Sequence, residues 1–354
     1  MGFRGNIPID IRVSGRRRRL NFKRFFTVIG VIVIIAGTVT FVLNRNKIFK
    51  KAENEVFMPA TSADKTQDTT DQAALTAFKE DIGEAAFMGG VRQGVRQGRE
   101  VYRSLERSRV EEFKSELEEY ISAFKGQYGI YYWDLNTDVS FGINENDEYL
   151  AASTVKIPIN LYLFNKIKDG EIDPEEKLVY TKSTDYEGGT GSIQYNKDGT
   201  EYTIRELSAL SIKESDNVAV NMLIRKLGRQ NYKDFMKQSG GVVVTEKNVS
   251  CPSDMALYMK GIYDFYNENP DVGGELIDSL QNTIFNDRIP KLLPKEVKVA
   301  HKMGNQVGAL HDVGLVFADR PYIIAVMSKN INEAEGNDVI ANISRKAYDF
   351  VEGN

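Results

Sequence analysis

The order of segment types along the chain predicts an α+β fold in which one sheet is assembled from both ends of a domain, with an all-helical lobe inserted between them. Three observations carry that expectation. Two short runs rich in aromatic and branched residues, Gly129–Leu135 and Val139–Ile143, come early. Helical periodicity fills the middle, from Thr203 to about residue 267. Three more strand-like runs, Val297–Met303, Val313–Ala318 and Tyr322–Ser328, come last and are followed by a helical pattern over Val339–Val351. With 354 residues and 42% hydrophobic content, the chain can bury a sizeable core and is not a disordered protein.

The first 24 residues hold eight basic side chains (Arg4, Arg12, Arg16, Arg17, Arg18, Arg19, Lys23 and Arg24) against Asp10 alone. That block carries +7 while the whole chain carries −4, so everything after it holds −11. A basic block of this kind can bind nucleic acid, but a hydrophobic segment follows at once and points to a membrane, so no nucleic-acid partner is expected. Phe25–Leu43 is 19 residues without a charge. As a helix it spans ~28 Å, the thickness of a bilayer core. The arginine cluster marks the cytoplasmic side, so the expected topology is a single-pass cell-membrane protein with an extracytoplasmic bulk. Arg45, Lys47, Lys50 and Lys51 on the other flank weaken the charge bias without reversing it. No small-residue cleavage site follows and no cysteine is placed for lipidation, so the segment reads as an uncleaved signal anchor. Residues 44–104 are polar, contain a tandem repeat (Val91–Gly94, then Val95–Gly98), and read as a stalk. The expected organisation is a basic cytoplasmic segment at 1–24, a transmembrane helix at 25–43, the stalk, and a folded domain at 105–354.

Within that domain, Val110, Phe113, Leu117, Tyr120, Ile121 and Phe124 recur at helical spacing and predict an amphipathic helix stopping at Gly126. Asn136-Thr137-Asp138 joins the first two strands as a hairpin. The stretch opening at Ser153 is apolar at Ile157, Ile159, Leu161, Leu163 and Ile167, which predicts a buried helix ended by Gly170 and Pro174. Residues 180–200 read as a loop. Its Gly188-Gly189-Thr190-Gly191 has neither the strand-to-helix context nor the following lysine of a phosphate loop. Ile204, Leu207 and Leu210 predict one helix, and Val220, Leu223, Ile224 and Leu227 another, with further helices over about 231–238 and 253–267. The single cysteine, Cys251, forbids an internal disulfide and reads as a small buried apolar residue.

Ser153 and Lys156 lie three residues apart at the start of a predicted helix, hence on one of its faces. A serine hydroxyl is a weak nucleophile until a base takes its proton, and a lysine can do so only when neutral. Ordinary lysine titrates near ~10.4, so burial or a neighbouring cation must lower its pKa by ~3 units for it to act near neutrality. The free N–H groups at a helix start favour negative charge developing beside the serine. The S-x-x-K spacing occurs at Ser62/Lys65, Ser122/Lys125 and Ser153/Lys156. Only the last opens an apolar run and is followed, in order, by Ser215-Asp216-Asn217 between two helices and Lys302-Met303-Gly304 on a late strand. Taken alone, Ser215-Asp216-Asn217 reads as a helix N-cap with turn residues, and Lys302 as a solvated lysine.

Together the three motifs resemble the S-x-x-K, S-D-N and K-T-G triplet of class A β-lactamases and penicillin-binding proteins, the penicillin-recognising serine hydrolases. The resemblance covers about residues 110–352, and Thr203–Leu207 and Gly308–Ala318 look like the corresponding segments of that family. It implies a β-lactamase/transpeptidase-like fold with an antiparallel sheet of about five strands flanked by helices. Ser153 is then the nucleophile on an amide carbonyl, Lys156 its base, and Ser215 the relay that brings a proton to the leaving nitrogen. Asn217, Lys302, Gly304 and Asn305 hold the substrate, with the backbone N–H groups of Ser153 and Asn305 on the oxyanion. Lys302 is expected to lower the pKa of Lys156 and to attract a substrate carboxylate.

Two departures qualify the match. The middle of the K-T-G motif is Met303, so a hydroxyl that the family uses near the substrate carboxylate is missing. Class A enzymes also carry a loop glutamate that activates the deacylating water. The 34 residues between Asn217 and Pro252 contain no E-x-x-x-N pattern, which leaves Glu246 as the candidate. Acylation is accounted for, whereas deacylation falls to Lys156 or is slow. The expected activity is the opening of a β-lactam or related amide through an acyl-Ser153 intermediate, the partner being a small-molecule β-lactam or a peptidoglycan peptide. The alternatives are a D-alanyl-D-alanine peptidase of cell-wall peptide and a β-lactam- or wall-binding module that stays acylated. A Ser/His/Asp site would need His301 or His311, but no G-x-S-x-G elbow exists. Two histidines, one cysteine and no H-E-x-x-H make too small a zinc set, so neither metal nor cofactor is expected.

Overall fold

The computed structural model describes residues 107–353. The basic segment at 1–24, the transmembrane helix at 25–43, the stalk at 44–104 and the Ser62/Lys65 pair lie outside the described residues. No helix among the described residues is long and apolar enough to cross a membrane.

The strands, in chain order, are β1 (Gln127–Asp134), β2 (Ser140–Ile143), β3 (Tyr149–Leu150), β4 (Lys177–Val179), β5 (Glu201–Thr203), β6 (Val249–Ser250), β7 (Lys298–Gln306), β8 (Ala309–Phe317) and β9 (Tyr322–Lys329). Five of them form one antiparallel sheet in the order β2-β1-β9-β8-β7. The hairpin β1–β2 forms because the Asp134 carboxylate accepts from the backbone N–H groups of Asn136 and Thr137, both at 2.9 Å, which closes the turn. On its other edge β1 pairs with the last strand, Gln127 facing Lys329 and Asp134 facing Tyr322. The sheet is therefore closed from both ends of the domain, as the segment order predicts.

Both faces of the sheet are covered. The helix over 107–122 and the closing helix Glu333–Glu352 pack Val110, Phe113, Leu117, Ile340 and Ile343 against Tyr132, Val299, Ile324 and Val326. The opposite face, with Ala300, Val313, Leu315, Ile323, Ala325 and Met327, meets the helical lobe through Ile157, Leu163, Met255 and Met259. Neighbours such as Ile323 and Ile324 point to opposite sides and both are buried, so these strands read as continuous apolar runs and not as alternating ones. Each such side chain contributes about 1.5–3 kcal/mol relative to exposure.

The lobe comprises Lys156–Lys168, Ile204–Lys213, Asn217–Leu227, Arg229–Gln238, Pro252–Glu268 and Pro270–Gln281. Thr203 starts its helix with a capping box: its hydroxyl accepts from Glu206 N at 3.1 Å while the Glu206 carboxylate accepts from Thr203 N at 2.8 Å. Pro270–Gln281 and the short pairs β3–β6 and β4–β5 add to the predicted elements, and the closing helix starts six residues earlier than Val339, capped by Asn332. Cys251 is buried, and burial pushes its thiol up to about 11, which suits a packing residue and not a nucleophile.

Candidate active site

Ser153 lies in a single 3-10 turn, Ala152–Val155, that runs directly into the helix beginning at Lys156. The turn is clamped on both sides. Thr154 Oγ1 donates to Ala151 O at 2.6 Å, and Asn248 Nδ2 donates to Ala152 O at 3.2 Å. Ala152 takes a φ of +48°, a left-handed conformation that costs a non-glycine residue roughly 1–2 kcal/mol. Those clamps hold the strained backbone that presents the hydroxyl.

Lys156 is buried, 2% exposed. Its Nζ lies 2.6 Å from Ser215 O, 2.9 Å from Asn217 Oδ1, 3.2 Å from Ser215 Oγ and 3.2 Å from Ser153 Oγ. The first two partners can only accept. A neutral amine has two hydrogens, which those acceptors use, and a lone pair left to receive the Ser153 proton. Burial pushes Lys156 down to about 8, with the Asp216 and Glu187 carboxylates pulling the other way. Lys302, fully buried, donates to Ser215 Oγ at 2.9 Å and to Met303 O at 3.1 Å. Burial, and then the charge of Lys156, holds it well below the ordinary lysine range. The like-charge contact expected to depress Lys156 thus falls on Lys302, and Lys156 is depressed by desolvation. Nor is Lys302 the solvated side chain that the residue alone suggests.

The Ser215-Asp216-Asn217 turn serves structure and site at once. Asp216 is the N-cap of Asn217–Leu227, accepting from Ala219 N at 2.8 Å, and its other oxygen accepts from Ile193 N at 2.8 Å. Ser215, at a φ of +56°, and Asn217 turn their side chains to Lys156 instead. The 188–191 loop lies against this turn: Thr190 Oγ1 donates to Ser215 O at 2.7 Å, and Asn217 Nδ2 donates to Gly188 O at 3.2 Å. Gly191, at a φ of +101°, has no room for a Cβ, which would sit 2.2 Å from Asp216 Cγ. The glycine-rich stretch is a wall of this site.

Strand β7 closes the opposite side. A Cβ on Gly304 would lie 3.2 Å from Ser153 N and from Ala151 O, so glycine lets the strand approach the turn that bears Ser153. The direction of the Asn305 N–H follows from the ladder. Leu310, opposite Asn305, exchanges both backbone groups with Ser328 Oγ on β9 at 3.0 and 2.7 Å. Its polar groups therefore face β9, and those of Asn305 face the open edge beside Ser153. Arg288, almost fully buried, fixes this corner by donating to Gly304 O (3.1 Å), His311 O (2.6 Å) and Asn305 Oδ1. His311 is neutral, lowered to about 4 by burial; its Nε2 donates to Leu150 O at 2.6 Å and its Nδ1 accepts from Ser328 N at 3.1 Å. His301 is paired with Asp312 at 2.9 Å in the sheet interior, and its other nitrogen faces Asn286, so this dyad serves the fold.

Ser153, Lys156, Ser215, Asn217, Met303 and Asn305 line one cleft of ≈ 460 Å³, with the buried Lys302 and Gly304 directly behind. Glu246 is exposed and does not line it. The cleft also takes in Glu187, Thr190 and Asn221, which sequence reasoning missed because only the folded loop brings them there. The paired glycines around Thr190 were the available signal.

Against this geometry, the model of the β-lactamase enzyme family matches residues 112–351. The chain belongs to that family. It is a serine β-lactamase-like hydrolase with the β-lactamase/transpeptidase-like α+β fold. The chain is similar to the extended-spectrum β-lactamase PER-1 of Pseudomonas aeruginosa, 23% identical over 266 residues covering 67% of this chain and 86% of the relative. It is also similar to β-lactamase ROB-1 of Haemophilus influenzae, 24% identical over 246 residues covering 62% and 78%. Among solved structures, PBP-A aligns with a TM-score of 0.65 and 26% identity over 69% of this chain and 97% of that one. A mutant of PBP-A, solved as an acyl-enzyme complex with penicillin G, aligns at the same TM-score of 0.65. A β-lactamase from Sphaerobacter thermophilus DSM 20745 shares the fold at a TM-score of 0.63 and 24% identity, over 68% of this chain and 97% of that one.

Proposed function

We propose that this family member is a membrane-anchored extracytoplasmic hydrolase that opens β-lactam or related amide bonds through an acyl-Ser153 intermediate. The observation that carries the reading is the environment of Lys156, whose two hydrogens are taken by pure acceptors while Ser153 Oγ stands 3.2 Å away. In that reading Ser153 Oγ attacks the carbonyl as its proton passes to Lys156 Nζ. The N–H groups of Ser153 and Asn305 receive the oxyanion, and Ser215, bridged to both lysines, hands a proton to the leaving nitrogen. Asn217 meets the substrate amide, and Lys302 supplies positive charge from behind Ser215. The anchor rests on the uncharged Phe25–Leu43 run and the basic block before it.

A second reading, a D-alanyl-D-alanine peptidase of cell-wall peptide, is favoured by the similarity to PBP-A, while Met303 and the missing E-x-x-x-N pattern favour a module that binds a β-lactam and stays acylated. The test is the intact mass of the protein followed after addition of penicillin G. Turnover gives a transient adduct and released product; a peptidase or a binding module gives a lasting adduct. No adduct sinks the acyl-serine reading, and Ser153→Ala is expected to form none. Membrane anchoring is tested by fractionation, where the full chain sediments with membranes until detergent is added.

A further inference from the structure

Hydrolysis of an acyl-serine needs a second proton acceptor positioned for water, and the cleft offers one carboxylate. We propose that Glu187 activates the water that releases the acyl group from Ser153. The assignment rests on the acyl-serine chemistry proposed above and extends it to the second half of the reaction.

Among the described residues lining the cleft, Glu187 is the only acid, set against Lys156, Arg229, Lys233 and Lys247. It is exposed, so solvent reaches it, yet it is held in place. Asn221 Nδ2 donates to Glu187 Oε2 at 3.0 Å and to Asp185 O at 3.3 Å. Asn221 follows Asn217 by one helical turn, so the two amides project from one face of Asn217–Leu227 toward the cleft. Asn217 Oδ1 meets Lys156 at 2.9 Å, while its Nδ2 meets Gly188 O, the carbonyl next to Glu187, at 3.2 Å. A short chain of contacts thus runs from Lys156 through Asn217 to Gly188, the residue after Glu187, and the Glu187 charge is felt at Lys156.

The other acids nearby are engaged elsewhere. Asp216 spends both oxygens on Ala219 N and Ile193 N. Asp185 is buried and paired with Arg225 at 2.8 and 3.0 Å. Glu246 lies outside the cleft, beside Lys233.

In the step itself, Glu187 takes one proton from water as the water oxygen bonds to the ester carbon. Collapse of the tetrahedral intermediate breaks the bond from carbon to Ser153 Oγ, and the proton held by Glu187 passes through neutral Lys156 Nζ to that oxygen. The acyl group leaves as the free acid, and Lys156 is neutral and Glu187 ionised again, as each began.

The test uses the full chain in detergent, loaded with penicillin G, freed of excess, and followed by intact mass. Glu187→Gln keeps an oxygen for Asn221 but cannot take the proton. Its adduct is expected to form as on the unaltered chain and to last ~100-fold longer or more, the usual scale for a lost acid–base group. Asn221→Ala, which frees the carboxylate, is expected to lengthen the lifetime by a smaller factor, and Glu246→Gln not at all. A Glu187→Gln adduct that decays within threefold of the unaltered chain's overturns the assignment while leaving the acyl-serine reading standing. An unaltered chain that forms no adduct overturns both.

Discussion

Acylation of Ser153 is expected to rise tenfold per pH unit and to level off near pH 8, where Lys156 Nζ loses its proton. The sign follows from the role: below that pH the nitrogen has no lone pair to accept the serine proton, so activity falls as pH falls. At pH 7 a group titrating at about 8 is roughly one-tenth neutral, whereas at the ordinary 10.5 the fraction is about 3 in 10,000. Burial thus raises the working fraction by about 300-fold, part of which is returned because a less basic amine is a weaker proton acceptor. Lys302 shares Ser215 Oγ with Lys156, so the measured value belongs to the lysine pair. The assay is stopped-flow acylation by a chromogenic β-lactam between pH 5.5 and 10. A flat profile, or a plateau deferred to about 10.5, refutes lysine as the base. The same shift has a thermodynamic side. Between pH 8 and 10.5 the folded state binds fewer protons than the unfolded, so stability rises through that window, by at most about 3 kcal/mol from this group.

Three substitutions probe other parts of the site. Gly304→Ala places a methyl 3.2 Å from Ser153 N and Ala151 O, forcing strand and nucleophile apart by a few tenths of an ångström; acylation is expected to fall ~10- to 100-fold with little change in Tm. Met303→Thr places a hydroxyl in the lining of the cleft and is expected to improve kcat/KM for carboxylate-bearing β-lactams ~5-fold, about one hydrogen bond; no gain means that the carboxylate binds elsewhere. Asp216→Ala removes a helix cap and the anchor of Ile193 N, and urea unfolding is expected to show a loss of about 2–4 kcal/mol.

Short-range pattern carried the reading of the sequence a long way. Ser153 and Lys156, the capped turn at Ser215, and the strand through Lys302 were each legible because three or four adjacent residues encode them. So was the sheet built from both ends, since long branched runs announce strands. Pro270–Gln281 was not, because Gly273 and Gly274 dilute its helical signal; Gly273 is there for packing, a Cβ being only 2.6 Å from Tyr266 Cα. Strands of two or three residues, as in β3–β6 and β4–β5, are too short to display a period. Glu187, Asn221 and Arg288 were invisible for a different reason: each matters through a partner far along the chain, Arg288 for instance through His311 and Asn337. The burial of Lys302 was likewise unreadable from a strand that also bears the exposed Lys298.

The pairing of β1 with β9 joins residues some 200 positions apart, Gln127 with Lys329 among them. During synthesis the helical lobe emerges complete while β9, the central strand and the partner of β1, is still unmade, so sheet assembly must wait for residues 322–329. A chain stopped before Tyr322 would leave β1 without its partner and β8 with an open edge, a surface inviting aggregation. Activity therefore has to await β9, and a stop codon anywhere before Tyr322 is expected to abolish it outright and not to trim it.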